Sequence, residues 1–403
     1  MNIALITIGS ELLNGTRVDT NAQWIGNQLS QVGAKVSWRV SVCDIAKDIQ
    51  EALRSIPSKI DLVLCTGGLG PTTDDLTLET LCDFFNSEIE FDQKYWSELQ
   101  LRLQKRTIKI TEAHKTQALS PKDANILPNS LGSARGLHFK GKDFELFAMP
   151  GVPDEMKSMM TDCVIPQIKN TSKEDFFYKI IRTTGATETK IFEAIKDVLE
   201  EYSVIDMSYL PSVFGVDIRC SCEDENTLQN FLNKISPLID QYIYGEGHTK
   251  LEEVVAHLLT EKGKTLAVAE SCSGGLISHR LTNVPGSSRF FLASVVTYAN
   301  ECKKSLLSVK EESLQAYGAV SEQVAYEMAE NVRKKFECDL GVSVTGIAGP
   351  SNNSTEKQLG LCFIGIANRE KTEVHCFQFT KDRIRNKNMT SQAALNLIRK
   401  SLL

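Results

Sequence analysis

The chain has 403 residues, of which 42% are hydrophobic and 24% charged, with 25 Gly and 11 Pro. That composition is globular and excludes collagen-like and disordered classes, and the length fits about two or three domains. A net charge of −6 argues against a nucleic-acid-binding surface or a polybasic membrane patch.

Residues 2–8 (NIALITI) form a continuous apolar run ending at Gly9, the pattern of a buried parallel strand. Ala22, Ile25, Leu29 and Val32 follow at helical spacing, with Gly33 at the helix end. A strand over 35–42, an amphipathic stretch over 45–56 and a strand over 61–66 continue the alternation. Such alternation predicts βαβ units on a parallel sheet. A helix near 91–106, a strand pair over 136–149 and a helix to about 169 complete this block. The next stretch predicts a strand (177–184), a helix (188–201), a strand (213–221) and a helix (226–240), a small α+β unit. A third block opens with a helix at Leu251. It continues with strands at 264–269, 291–298 and 340–344 and ends in a last helix after residue 385. The fold class expected is therefore α/β, in three domains spanning 1–170, 171–248 and 249–403.

No apolar run reaches the roughly 18–20 residues of a spanning helix. The first residues carry no basic leader, so export is not expected and a cytoplasmic location is. The eleven Cys are scattered with no C-x-x-C pattern, and the six His never approach metal-ligand spacing. This reads as reduced thiols, without a disulfide framework or zinc site.

Two regions carry chemistry. In the third block, TLAVAESCSGG places Ser271 at the end of a buried strand, before Gly274, Gly275 and an apolar helix. A nucleophilic serine needs such a turn, where backbone N–H groups meet a developing oxyanion. The structural alternative is that Ser271 caps the helix and the glycines allow tight packing. Downstream, Thr345-Gly346-Ile347-Ala348-Gly349-Pro350 closes another strand with a small-residue loop suited to a phosphate. Two such turns at strand C-termini fit a ligand crevice in an open sheet. In the first block, Gly67-Gly68-Leu69-Gly70-Pro71-Thr72-Thr73-Asp74-Asp75 leaves a strand as a glycine loop followed by paired carboxylates. The loop suits phosphate, and Asp74 and Asp75 suit a divalent cation beside it. Their structural alternative is helix capping.

ESCSGG, VTYANECK, YGAVSEQVAYEMAE and VTGIAGP occur in this order, and together they resemble the C-terminal domain of the CinA family. The resemblance implies an amidohydrolase that converts nicotinamide mononucleotide to nicotinate mononucleotide and ammonia without a cofactor. It makes Ser271 the nucleophile and Lys303 the general base. Lys303 must then be neutral, its pKa lowered by burial or a neighbouring cation. Adjacent Lys304 reads as a solvated surface residue. The resemblance also implies substrate contacts at Cys272, Ser273, Gly274, Gly275, Tyr298, Asn300, Thr345, Gly346 and Ala348. Arg383 or Arg385 would hold the phosphate, and the sequence does not choose between them.

The first block, with GSELL at Gly9–Leu13, DTN at Asp19–Asn21, and TGGLGPTTDD, resembles the molybdopterin-binding fold found at the N-terminus of CinA proteins. Some of these are metal-dependent ADP-ribose pyrophosphatases. The likeness implies nucleotide contacts at Gly9, Glu11, Asp19, Asn21, Gly67, Gly68, Gly70, Thr72 and Thr73. Asp74 and Asp75 would bind a divalent ion of unassigned identity, with a monovalent cation as a second candidate. The middle block resembles the family's KH-like linker but lacks the G-x-x-G loop of RNA-binding KH domains. Partners expected are the two small nucleotides and a second copy in a homodimer, with neither nucleic acid nor membrane. Two departures from the family pattern stand out. Arg135 replaces a usual Pro, and 351–359 lacks the usual glycines. They keep open a ligand-binding protein without turnover, or an amidase whose N-terminal domain has lost catalysis.

Overall fold

The computed structural model describes residues 1–171, 176–351 and 357–403. It is α/β throughout and divides into two units, Met1–Phe177 and Tyr178–Leu403. Among the described residues no helix is long and apolar enough to cross a membrane, and all eleven cysteines are free thiols.

The first unit is built on β1 (Asn2–Ile8), β2 (Lys35–Val42) and β3 (Leu62–Thr66), where the sequence predicts strands. A short pair, β4 (Ile89–Phe91) and β5 (Leu119–Pro121), stands apart. β6 (Asn125–Leu127), β7 (Gly136–Lys140) and β8 (Glu145–Met149) complete a six-stranded sheet in the order β2-β1-β3-β8-β7-β6. Because successive strand residues face opposite ways, β1 feeds two cores. Ala4, Ile6 and Ile8 pack with Ile49, Leu53 and Leu81; Ile3 and Leu5 pack with Ile25, Leu29 and Met156 on the other face. Helices thus cover both faces, which is why these strands are apolar runs and not alternating ones. β1 pairs in parallel with β2 on one side and β3 on the other. The chain reverses its direction of travel there, and the crevice lies at the C-terminal ends of β1 and β3.

The second unit holds two sheets. β9 (Phe177–Thr183), β10 (Asp206–Ser212), β11 (Gly215–Cys222) and β12 (Ile243–Glu246) form one, in the order β10-β11-β9-β12. β13 (Leu266–Glu270), β14 (Phe291–Val296), β15 (Leu340–Gly346), β16 (Leu361–Ala367) and β17 (Thr372–Gln378) form the other, in the order β14-β13-β15-β16-β17. β13 runs parallel to both β14 and β15, so a second crevice opens at their C-terminal ends. The helix Arg383–Leu402 buries polar side chains as well as apolar ones. Arg399 donates to the carbonyls of Ile243 (2.9 Å) and Gln241 (3.3 Å), and Gln392 donates to the Thr184 hydroxyl (3.2 Å). One face of this helix closes the five-stranded core while another docks the four-stranded sheet.

Candidate active site

β13 ends in Glu270, and Ser271 follows at once. The Ser271 N–H donates to the Val344 carbonyl at 3.1 Å, fixing the serine backbone to β15. Glu270 is fully buried, and its carboxylate accepts from the Ser273 hydroxyl (2.7 Å), the Ile277 N–H (3.2 Å), the Ser278 N–H (2.9 Å) and the Ser278 hydroxyl. Ser271 is therefore not the cap of the helix Leu276–Thr282. That helix opens on Gly275 in the left-handed region at φ 91°, which favours glycine, and Glu270 satisfies its first N–H groups. The sequence reading aimed that helix terminus at a substrate oxyanion; the protein's own carboxylate occupies it.

Lys303 lies on the helix Asn300–Leu307 and is 1% exposed, an unusual place for an ammonium group. Its Nζ is 3.1 Å from Ser271 Oγ, 2.7 Å from the Thr297 carbonyl and 3.2 Å from the Tyr298 carbonyl. Burial lowers its pKa from the ordinary lysine value, against a smaller upward pull from the Cys272 and Cys302 thiols. A neutral amine has two N–H groups and one lone pair. In that state, with the two carbonyls taking the N–H groups, the lone pair would face Ser271 Oγ. Lys304 instead points outward to Glu311 at 2.6 Å.

Around this pair, the Tyr298 ring is 59% exposed, and its hydroxyl accepts from Arg383 at 2.8 Å. Arg383 also donates to the Gly349 carbonyl (2.8 Å), while the Arg385 side chain is exposed and its backbone N–H is held by Asp382. The structure thus places Arg383 beside Tyr298. Asn300 is exposed at the first turn of the Lys303 helix. The Thr345 hydroxyl donates to the Ala319 carbonyl at 2.7 Å and is buried, so that proton is not available to a ligand. Gly346 and Ala348 share a cleft with Cys272, Asn386 and Lys387. A Cβ built on Gly274 would lie 3.4 Å from Lys387 Nζ. The sequence reading missed both Lys387 and the role of Glu270. For Lys387 the signal was its i, i+4 spacing from Arg383, which puts both on one helix face. Most of the atypical 351–359 stretch lies outside the described residues.

In the first unit a cavity of about 490 Å³ opens beside the glycine loop, lined in part by Gly68, Gly70, Thr72, Thr73 and Asp75. Gly67 has φ 117°, and a Cβ there would meet the Ile8 carbonyl at 2.1 Å, so only glycine fits. Gly9, Glu11, Asp19 and Asn21 lie outside this lining. Asp19 caps the helix Thr20–Ser30 and pairs with Arg39; Asn21 donates to Thr66 Oγ1 (3.1 Å) and the Gly151 carbonyl (2.9 Å), bracing strand ends. Asp74 and Asp75 were expected at a helix start, but the helix begins at Thr77 and neither caps it. Asp75 instead accepts from the Thr72 N–H (2.9 Å) and hydroxyl, holding the loop closed on itself. Asp74 is exposed and lies outside this lining, so of the two predicted carboxylates only Asp75 borders the cavity, where a hard cation shared with phosphate oxygens would fit beside it. Among the described residues no group of three or more His, Cys, Asp or Glu side chains converges on a metal position.

Residues 248–402 match the family model described as "CinA C-terminal domain", and residues 4–170 match "Probable molybdopterin binding domain". The CinA-like protein of Cytophaga hutchinsonii is 37% identical over 99% of this chain and 97% of its own length. The CinA-like protein of Dictyoglomus turgidum is 36% identical over 100% of both. Among solved structures, the competence/damage inducible protein CihA of Agrobacterium tumefaciens is 34% identical. It covers 38% of this chain and 93% of its own, with a TM-score of 0.37. The CinA protein of Thermoplasma acidophilum is 31% identical. It covers 41% of this chain and 96% of its own, also with a TM-score of 0.37.

Proposed function

The chain belongs to the CinA family, and on that premise we propose that its second unit is a serine–lysine amidohydrolase acting on nicotinamide mononucleotide. The observation that carries the reading is the 3.1 Å contact between a buried Lys303 Nζ and Ser271 Oγ. Neutral Lys303 takes the Ser271 proton, and the oxygen attacks the carboxamide carbon. Collapse of the tetrahedral intermediate breaks the C–N bond. Lys303 returns its proton to the leaving nitrogen, which departs as ammonia. Water, deprotonated by Lys303, then cleaves the acyl-serine to nicotinate mononucleotide. Ile277 and Ser278 N–H are taken by Glu270. The N–H groups of Cys272 and Ser273, next to the nucleophile, are in this reading the oxyanion donors. Arg383 and Lys387 hold the phosphate. Ammonia release from nicotinamide mononucleotide by the folded protein tests the reading; a folded protein that releases none removes it.

For the first unit we propose a metal-dependent ADP-ribose pyrophosphatase, with the pyrophosphate on the Gly68–Thr73 loop and Asp74 and Asp75 holding the cation. The cation would neutralise phosphate charge beside those carboxylates. A second reading, binding without turnover, is favoured by one observation: Asp75 is already engaged by Thr72. AMP release from ADP-ribose that needs added magnesium, and falls in Asp74→Asn, supports catalysis. Ligand-dependent stabilisation without AMP supports binding alone.

A further inference from the structure

Two cysteines stand behind the nucleophile. Cys272 follows Ser271 directly, and its sulfur lies 4.0 Å from that of Cys362, both side chains being buried. Cys362 sits on β16, in register with Gly346 of β15 and Phe377 of β17, so its backbone is held on both sides. Thr390 Oγ1 approaches its sulfur at 3.6 Å and orients it. Cys272, by contrast, belongs to a turn whose next residues, Gly274 and Gly275, have φ of 61° and 91°. The hydrogen bond between the two sulfurs pushes the Cys362 thiol up and holds Cys272 below the ordinary thiol value against its burial. Cys272 is thus the more nucleophilic sulfur.

We propose that Cys272 and Cys362 are an oxidisable thiol pair, and that joining them as a disulfide withdraws Ser271 from Lys303. The oxidant is a small hydroperoxide, in the simplest case hydrogen peroxide, which is close to water in size and enters where the hydrolytic water enters. The Cys272 thiolate attacks one peroxide oxygen and the O–O bond breaks, giving the sulfenic acid and hydroxide, which leaves as water after taking a proton. The Cys362 sulfur then attacks the Cys272 sulfur. The S–S bond forms, the S–O bond breaks, and the departing oxygen leaves as a second water with the Cys362 proton. Two thiols are oxidised by two electrons and one peroxide is reduced. A disulfide requires sulfurs about 2.05 Å apart. The gap therefore closes by roughly 2 Å; β16 is paired along both edges, whereas the serine turn is tied to β15 through the Ser271 N–H, so the movement strains that tie and falls on the serine turn.

The chemical step stands independently of the amidase reading, whereas its effect on turnover rests on it. The full-length protein, in a Cys376→Ser background because Cys376 is exposed, is reduced, exposed to graded hydrogen peroxide, alkylated and mapped by mass spectrometry. The expected result is a peptide cross-linked through Cys272 and Cys362. Nicotinamide mononucleotide deamidation then falls about 10²-fold at full conversion, as a misplacement of ~1 Å or more implies, and dithiothreitol restores it. Adding Cys362→Ala, or Cys362→Ser should the first fold poorly, abolishes the cross-link and the peroxide response relative to each variant's untreated rate. Peroxide that produces no 272–362 cross-link overturns the proposal. A quantitative cross-link with an unchanged rate overturns the withdrawal of Ser271. A cross-link in a protein that releases no ammonia with or without peroxide supports the pair and counts against the amidase reading alone.

Discussion

The two units use one topological device with opposite electrostatics. In each, a strand with parallel neighbours on both sides, β3 in the first unit and β13 in the second, ends in a glycine turn. At Ser271 the turn is closed: Lys303 and Glu270 are buried, and both charged side chains find their partners within the protein. At Gly68–Asp75 the turn borders an open cavity whose wall includes the carboxylates of Asp75, Glu79 and Glu112. The first arrangement tunes a pKa by excluding water. The second leaves its carboxylates on the wall of an open cavity. A strand-end glycine turn therefore positions a backbone but does not choose the reaction; burial of the side chains around it does.

That contrast breaks most sharply at Lys303. Lys303→Arg and Lys303→Ala are each expected to lose at least about 10³-fold in kcat for ammonia release, because arginine stays charged and alanine offers no base. The rate of the unaltered protein should rise with pH as Lys303 deprotonates, with a midpoint below the ordinary lysine value. Stability should move the same way. The folded protein binds fewer protons than the unfolded chain between the lowered pKa and about 10.4, so unfolding free energy rises with pH across that window. A flat profile would show that Lys303 does not titrate there.

The next effect is structural. Glu270→Ala removes the acceptor of four hydrogen bonds. At about 1–3 kcal/mol for each buried donor left unpaired, the variant should unfold at clearly lower denaturant concentration. Asp75→Ala at the open turn should shift the midpoint little. Equal shifts would contradict the distinction between closed and open turns. A smaller effect is expected at the phosphate end. Arg383→Ala and Lys387→Ala should each raise KM about tenfold, the loss of one charge-assisted contact, with kcat nearly unchanged. Arg385→Ala should do neither, and the reverse pattern would move the phosphate to Arg385.

Much of this was legible in the sequence, for identifiable reasons. β1 and β3 are apolar runs because helices cover both their faces. The serine turn and Lys303 stand out because their motifs occur in order. What escaped depends on tertiary contacts. A strand-end glutamate reads equally as facing a ligand or a helix, and only the chain's path past Gly275 turns Glu270 inward. The last helix looks poorly amphipathic because its polar Gln392 and Arg399 are buried against the four-stranded sheet. Asp74 and Asp75 read as a helix start until the Thr72–Asp75 turn delays that helix to Thr77. LCFIGIA of β16 is as apolar as β1 and carries the same strand signal.

The central claim is that Ser271 and Lys303 act as one unit, and the double variant tests it most directly. Ammonia release from nicotinamide mononucleotide is measured for Ser271→Ala, Lys303→Ala and the two combined, at equal concentrations of folded protein. A single unit predicts that all three fall to about the same residual rate, since removing either partner disables the other. Losses that multiply in the double variant, or a Ser271→Ala protein as active as the unaltered one, would contradict it.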